Sequence, residues 1–293
     1  MNTADPLFVT LLDLLYELRD DDLPLILGGG YGLYLRQIRF QESGAPSLLE
    51  AIPPLRATND LDVFLCTEVI TDSKRLLPLR AALDRLGFTV IASAQNYQFA
   101  RKFTLGGQDW DIKIDLLAKT PDPHAFPNMK IDVRRVRPHP SVGLHAHRTD
   151  EAIAIEDSMT TMSVTGFRSN EDQYTGQISL PSAYALLMMK LYALRDQWEK
   201  PDKGFGRKHA IDLYTLIALM TESEYHTSQE LSRRYQTTAE GKEAGQIARA
   251  LFKDESAMGV LRMKEHGTLP TDADIATFLS VLKELFPEEG NPE

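Results

Sequence analysis

The stretch LILGGGYGLYLRQ, from Leu25 to Gln37, places three consecutive glycines between an apolar segment and a predicted helix. A fourth glycine, Gly32, falls in the first turn of that helix, where glycine costs about 1 kcal/mol relative to alanine. Such glycines indicate that another group comes close to the backbone. One interpretation is a tight turn with close packing of helix on strand. The other is phosphate binding by Gly29 and Gly30, because N–H groups at a helix N-terminus bind anions.

A predicted strand downstream, NDLDVFLC at 59–66, carries Asp60 and Asp62. Residues two apart project from the same face of a strand, so both carboxylates point the same way. Neighbouring anions repel unless a cation lies between them, and Mg²⁺ prefers oxygen ligands. The alternative is a solvated strand edge, but aspartate is depleted in strands and this strand is otherwise apolar. We therefore predict that both acids are metal ligands.

A third carboxylate lies in a later predicted strand, DWDIKIDLLA at 109–118. Asp115 is flanked by the more apolar half of the strand and is preferred over Asp111, which shares its face. Lys113 lies between them and either neutralises them or contacts a nucleotide. Three converging acids can hold two Mg²⁺ ions about 3.5–4 Å apart, which stabilises the attacking and leaving oxygens of phosphoryl transfer. The three acids are accordingly predicted to be catalytic.

The order of elements predicts an α+β fold in two domains. The GGQ sequence at 106–108 separates two predicted strands as a hairpin turn. Between 121 and 176 the pattern weakens, and the stretch IAIEDSMTTMSVTG at 153–166 is expected to hold one or two short strands. From Pro181 onward the chain is predicted to be helical. We expect a mixed sheet flanked by helices in residues 1–178 and a helical domain in residues 179–293. The other local predictions are helices over Pro6 to Arg19, Tyr31 to Phe40 and Ser73 to Leu86, and a loop over Gln41 to Pro54.

Composition excludes several classes of protein. The 293 residues are 43% hydrophobic and 25% charged, as in a globular protein, and the formal net charge is −10, which gives no overall attraction to nucleic acid. The single cysteine, Cys66, excludes an internal disulfide framework and fits a reducing, cytoplasmic compartment. The sequence shows neither a signal peptide nor an apolar run near the ~20 residues of a membrane span, so no membrane association is expected.

Together these motifs resemble a known superfamily. A Gly-Gly pair that opens a helix, an Asp-x-Asp strand and one further aspartate are the pattern of the DNA polymerase β-like nucleotidyltransferases. More narrowly, GGGYGLYL followed by RATNDLDVFL looks like the AbiEii-type abortive-infection nucleotidyltransferase toxins. The helical segment KLYALRDQ is similar to a family element and supplies Lys190 and Arg195, the latter one position short of the usual spacing. RKHAIDLYTL supplies Lys208, His209 and Asp212, with the histidine where many relatives have an acid.

The resemblance implies an Mg²⁺-dependent enzyme that moves a nucleoside monophosphate from a nucleoside triphosphate (NTP) to a hydroxyl and releases pyrophosphate. It implies that Lys190 is catalytic and points to the triphosphate, whereas the alternative is a lysine that extends from an apolar helix into solvent. Asp212 is expected to orient Lys190 or Arg195 by a salt bridge rather than to take part in the chemistry, and Arg195 and Asp212 are assigned to the nucleotide site. Arg56 and Thr58 either cap the strand or contact phosphate. The implied acceptor is RNA, such as a tRNA 3′ end, or a protein hydroxyl, and the implied partner is a cognate antitoxin.

Two alternatives use the same residues differently. A small-molecule nucleotidyltransferase of the aminoglycoside type would keep the same acids, and the net charge of −10 suits a cationic acceptor. A binding module that has lost catalysis is disfavoured because all three acids are present. The basic segment KIDVRRVRPHP at 130–140 favours RNA, although a solvated strand face explains it equally. His145 and His147 resemble a metal pair but are interpreted as surface residues.

Overall fold

The computed structural model describes residues 5–54, 56, 58–94 and 96–287, and these form a mixed sheet and a set of helices. The α+β class predicted from the sequence is confirmed. The strands are β1 (Ile26–Leu27), β2 (Asp60–Phe64), β3 (Thr89–Val90), β4 (Gln98–Leu105), β5 (Gln108–Ala118), β6 (Met129–Ile131), β7 (Arg135–Pro138), β8 (Ala146–Arg148), β9 (Thr160–Phe167) and β10 (Gln173–Leu180). The helices are α1 (Pro6–Glu17), α2 (Gly29–Ser43), α3 (Thr67–Ile70), α4 (Ser73–Arg85), α5 (Ala183–Gln197), α6 (Arg207–Ala218), α7 (Glu222–Tyr235), α8 (Ala239–Phe252), α9 (Met258–Glu265) and α10 (Ile275–Leu285).

The sheet is organised around β5. Its main path runs β6-β7-β8-β5-β2-β1-β10-β9, and β4 pairs with both β3 and β5. The β2 and β8 strands are parallel to β5, whereas β4 is antiparallel to it. The short β1 strand joins the β2 side of the sheet to the β9–β10 hairpin by parallel pairing at Ile26 and Ser179.

Side-chain alternation gives β2 and β5 one buried and one polar face. Leu61 and Val63 in β2, with Ile114 and Leu116 in β5, are completely buried. The intervening residues of both strands are acidic or basic and project from the opposite face. The apolar residues therefore fix both strands in the core while the charged residues share one surface.

Contacts divide the chain into two compact units, and neither is a single continuous segment. The first comprises Met1–Gly32, Ala57–Asp150 and Met159–Leu180 and contains the whole described sheet. The second comprises Leu33–Arg56, Glu151–Ser158 and Pro181–Glu293 and is mainly helical. The sequence predicted two continuous domains that meet between residues 178 and 179. That prediction placed Leu33–Arg56 and Glu151–Ser158 in the sheet domain, whereas their contacts assign them to the second unit.

The second unit has its own hydrophobic core. Helices α5 and α6 are almost wholly buried, and the core also includes Phe252, Phe278 and Leu282 from α8 and α10. Residues after 225, for which the sequence suggested no role beyond support, thus form part of this core. Within the described part of the chain, no helix combines the length and apolar character that a membrane crossing requires.

Most local predictions match the structure, and two differ. Helix α2 begins at Gly29 and continues to Ser43, so the predicted loop is helical in its first three residues. The expectation of one or two short strands at 153–166 is met by β9, whereas the other strands between 121 and 176, namely β6, β7, β8 and the start of β10, were not predicted. Three of these strands have only three or four residues, too few to show a period. The β10 strand does alternate, with Tyr174, Ile178 and Leu180 on one face and polar residues between them, so its strand signal was present in the sequence.

Candidate active site

The glycine-rich turn between β1 and α2 packs directly against β2. The N–H of Gly28 donates to the backbone oxygen of Asp62 at 2.9 Å, and Gly29 adopts a φ of +61°. A Cβ at Gly29 would lie 1.6 Å from Oδ2 of Asp62, and a Cβ at Gly32 would lie 2.3 Å from the backbone oxygen of Leu27. The absence of Cβ atoms at Gly29 and Gly32 therefore makes room for the Asp62 carboxylate and the Leu27 carbonyl of the same chain. Gly30, the other predicted nucleotide-binding glycine, is the second residue of α2.

The register of β2 and β5 brings the predicted acids together. Asp62 lies directly beside Asp115 in the parallel ladder, and Asp60 lies beside Lys113. Paired residues of neighbouring strands project from the same face, and so do residues two apart along one strand. All four side chains therefore occupy one face of the sheet, next to the N-terminus of α2.

Two hydrogen bonds position the acids. Oγ1 of Thr58 donates to Oδ1 of Asp60 at 2.8 Å, which assigns to Thr58 an orienting contact within the site. Nε2 of Gln98 donates to Oδ2 of Asp115 at 3.0 Å, while the other oxygen, Oδ1, is buried and has no hydrogen-bond partner among the described residues. Burial raises the pKa of Asp115, and the charge of Asp60 raises it further, against the opposing effects of Gln98 and Lys113.

Gln98 is the residue of this site that the sequence analysis missed. It lies opposite Asp115 in the antiparallel β4–β5 ladder. The signal was available, because a hairpin whose turn is at Gly106 and Gly107 pairs residues at equal distances on either side of the turn. Counting outward from the turn leads to Gln98 as the neighbour of Asp115. The rejected alternative, Asp111, lies opposite Lys102 in the same ladder.

The acids have the chemistry of a magnesium site but are not arranged as a ready-made one. In the described residues, no group of three or more His, Cys, Asp or Glu side chains is placed to hold a metal ion. The donors are nevertheless all carboxylate oxygens, which suit Mg²⁺, and Oδ1 of Asp115 is a buried acceptor with an unmet hydrogen-bonding requirement. Asp60, Asp62 and Asp115 therefore fit a divalent cation in chemical type.

A second charged cluster lies within the helical unit. Nζ of Lys190 donates to Oδ2 of Asp212 at 2.7 Å, and Arg56 donates from Nε to Oδ1 at 3.0 Å and from Nη2 to Oδ2 at 3.1 Å. The side chains of Lys190 and Asp212 are only 7% and 2% exposed. Burial alone would raise the pKa of Asp212, but the charges and hydrogen bonds of Lys190 and Arg56 outweigh it and hold that pKa below its usual value.

The partners in this cluster refine the sequence-based expectations. Asp212 does bind Lys190, but its second cation is Arg56, and Arg195 instead pairs with Asp196 and Glu243. The contact of Lys190 with a triphosphate stays a prediction. His209 is buried beside the cluster, and neither ring nitrogen has a hydrogen-bond partner in the described chain. Burial and the charge of Lys190 lower the pKa of His209 to about 3, so the ring is neutral.

The first unit also contains the predicted histidine pair and the basic segment at 130–140. The interpretation of His145 as a surface residue is wrong: it is only 3% exposed, and its Nε2 lies 3.2 Å from Oγ of Ser141. In the basic segment, Lys130 lies directly opposite Arg137 in the β6–β7 ladder, while Arg135 is paired with Asp132. The like charges of Lys130 and Arg137 repel, so an anion bound there would be favoured.

No family model matches the chain, and no curated protein matches it. One similar solved structure is the antibiotic-resistance factor ANT(2'')-Ia, with 16% identity and a TM-score of 0.37 over 79% of this chain and 100% of that one. Another is an antigenic nucleotidyltransferase-like protein from Paracoccidioides brasiliensis, with 14% identity and a TM-score of 0.38 over 81% of this chain and 91% of that one. Both scores are below 0.5, and the function proposed below rests on the site residues.

Proposed function

We propose that this chain is a nucleotidyltransferase that transfers a nucleoside monophosphate from an NTP to an acceptor hydroxyl. The observation that carries the proposal is the register that sets Asp62 beside Asp115, with Asp60 two residues earlier on the same face. Three carboxylates on one polar face, beside a helix N-terminus, match the needs of a triphosphate substrate that arrives with divalent cations.

We assign Mg²⁺ as the cofactor that these acids bind. As the sequence predicts, two Mg²⁺ ions would be held. Asp60 and Asp62 would be shared ligands, and Asp115 would hold the ion nearer the acceptor. When bound, Mg²⁺ neutralises phosphate charge and stabilises the attacking and leaving oxygens of the displacement. The unpartnered Oδ1 of Asp115 supports this assignment, because a cation would satisfy it.

Asp115 also has the properties of the general base. In the chain without a bound cation, burial raises the pKa of the Asp115 carboxyl, and a raised pKa makes a carboxylate a better proton acceptor. The acceptor oxygen attacks the α-phosphorus, a new P–O bond forms, and the bond to the β-phosphate oxygen breaks to release pyrophosphate. The hydroxyl proton passes to the carboxylate of Asp115, which Gln98 orients by donating to Oδ2.

The polar neighbours of the acids bind and orient the substrate. Backbone N–H groups of Gly29 and Gly30 at the start of α2 attract phosphate oxygens. Lys113 is exposed beside Asp60 and provides a positive charge for the triphosphate. Thr58 keeps one oxygen of Asp60 oriented through its hydroxyl.

We further propose RNA as the acceptor, and a toxin role by resemblance to the AbiEii-type family with its cognate antitoxin. The opposed Lys130 and Arg137 support RNA, because a phosphate backbone would relieve their repulsion. The second candidate is an aminoglycoside-type acceptor, which the net charge of −10 favours through attraction of a polycation.

Transfer of α-labelled NTP in the presence of Mg²⁺ tests the function. We expect label on total tRNA, and a loss of about a hundredfold or more in Asp60→Asn, which removes one ligand charge. The matched control is Asp111→Asn, which removes an acid on the same face away from the site and should keep activity. Label on an aminoglycoside panel and not on tRNA would select the second acceptor. Full activity of Asp60→Asn, or transfer to neither acceptor, would contradict the proposal.

A further inference from the structure

Among the described strands, β9 forms one edge of the sheet and pairs only with β10. The N–H of Ser179 in β10 donates to the backbone oxygen of Leu25, away from β9, so the alternate residues of β10 are the ones that face β9. The register then leaves the N–H and C=O groups of Thr161, Ser163 and Thr165 pointing out of the sheet. All three residues are exposed, and no hydrogen bond to another described residue involves these backbone groups.

This edge lacks the features that usually protect an exposed strand from further pairing. The β9 strand, TTMSVTGF, is eight residues long and contains neither proline nor a charged side chain. At the opposite end of the sheet, β6 has three residues and carries Lys130, and β3, which pairs only with β4, has two residues. The other outer strands of the described sheet are thus short, whereas β9 is long and uncharged.

Helix α1 supports β9 from one face of the sheet. Val164 is completely buried there, and a Cβ at Gly166 would lie 2.6 Å from the ring of Phe8. On the other face, the hydroxyl oxygens of Thr165 and Thr175 are hydrogen-bonded at 2.9 Å. The free edge is therefore ordered before anything pairs with it, which lowers the conformational cost of binding.

The residues along this edge are complementary to a second copy of themselves. Met159, which directly precedes β9, and Phe167, its last residue, each lie four positions from Ser163 and are 36% and 49% exposed. When two β9 strands pair antiparallel about a two-fold axis at Ser163, Met159 of each strand lies opposite Phe167 of the other. Thr161 lies opposite Thr165 in the same way, so no like charges meet across the axis.

We propose that β9 pairs with β9 of a second copy of this chain, antiparallel and about a two-fold axis at Ser163. The pairing satisfies the outward N–H and C=O groups of Thr161, Ser163 and Thr165 with about six ladder hydrogen bonds. Met159 and Phe167 bury apolar surface against each other at both ends. Because a single strand pair makes a small interface, we expect a dissociation constant in roughly the micromolar range.

Sedimentation equilibrium of the full chain, from about 1 to 200 µM, measures this pairing. We expect a monomer–dimer equilibrium that Ser163→Glu weakens at least about tenfold, because two carboxylates then lie opposite each other on strands whose Cα atoms are about 5.5 Å apart. The matched control is Gln177→Glu, at the exposed residue of β10 that pairs with Ser163. Its two added charges would lie about 14 Å apart in the dimer, beyond the range of screened repulsion, so dimerisation should be unchanged.

A mixing experiment identifies the occupant of the edge. Ser163→Lys alone should also dimerise at least about tenfold more weakly than wild type, whereas an equimolar mixture of Ser163→Lys and Ser163→Glu should recover association, because opposite charges then meet at the axis. Circular dichroism should show both variants folded. The proposal would be overturned by a wild type that stays monomeric over this range, by a dimer that Ser163→Glu does not weaken, or by a mixture no more associated than the single variants.

Discussion

At the scale of single residues, the glycines of the opening stretch are explained by the chain's own atoms. The carboxylate of Asp62 occupies the space that a side chain at Gly29 would need, and the ring of Phe64 and the carbonyl of Leu27 do the same at Gly28 and Gly32. Close helix–strand packing and anion binding at these glycines involve different atoms and are compatible. Close packing depends on the absence of Cβ atoms at the glycines, whereas phosphate binding would depend on the N–H groups at the start of α2.

Gly29→Ala should therefore be one of the most damaging small substitutions in the chain. Its Cβ would meet Oδ2 of Asp62, and its φ of +61° is unfavourable for alanine. We expect the free energy of unfolding to fall by about 2–4 kcal/mol, measured by urea denaturation. Gly106→Ala is the matched control, because its φ is +60° and nothing lies within 4 Å of its Cβ position; its loss should be about 1 kcal/mol. Equal losses in the two variants would contradict this explanation.

The candidate site was partly predictable at this scale. Asp60 and Asp62 share a face because the strand period is two, and the apolar residues Leu61, Val63 and Phe64 identify the strand. The pairing of Asp62 with Asp115 was not predictable, since parallel register between strands separated by about fifty residues leaves no local signal in the sequence. Hairpin geometry allows the contact of Gln98 with Asp115 to be predicted, but a lone glutamine in a sequence does not by itself indicate a functional site.

At the scale of secondary-structure elements, a buried ion pair joins α5 to α6. Lys190 and Asp212 face each other from the two helices, and Arg56 adds a second cation from the segment that follows α2. A buried charge is tolerated only when it is paired and hydrogen-bonded, so the three side chains depend on one another. The sequence suggested the Lys190–Asp212 pair, whereas the contribution of Arg56 required the three-dimensional structure.

Asp212→Asn should strongly destabilise the helical unit. It leaves the Lys190 ammonium, 7% exposed, without its counter-ion, and we expect a loss of about 3–5 kcal/mol in chemical denaturation. The double variant Lys190→Met with Asp212→Leu should recover most of that loss, because it removes both buried charges. Asp196→Asn, at an exposed ion pair with Arg195, should stay within about 0.5 kcal/mol of wild type. A double variant no more stable than Asp212→Asn would contradict the ion-pair account.

The same pair predicts the direction of a pH effect. The pKa of Asp212 is lower in the folded chain than in the unfolded chain, where aspartate has a pKa of about 3.9. Its stabilising contribution is present above the unfolded value and is lost as the pH falls through the folded value. The stability difference between wild type and Asp212→Asn should therefore shrink below about pH 4.

At the scale of the whole molecule, the sequence predicted the α+β class but not the division into units. The β1–β10 pairing at Ile26 and Ser179 joins residues about 150 positions apart, and no local pattern encodes it. The second unit likewise includes Leu33–Arg56 and Glu151–Ser158, which precede its main helical segment in the chain. Propensity and periodicity identify elements, whereas such long-range associations depend on how completed elements pack.

Asp60, Asp62 and Asp115 are proposed to form one site for divalent cations. Its most direct measurement is Mn²⁺ binding, followed by electron paramagnetic resonance of the free ion, for wild type, Asp62→Asn, Asp115→Asn and Asp111→Asn. The account predicts that Asp62→Asn and Asp115→Asn each weaken binding by about tenfold or more, while Asp111→Asn binds like wild type. Equal Mn²⁺ affinity in all four proteins would contradict it.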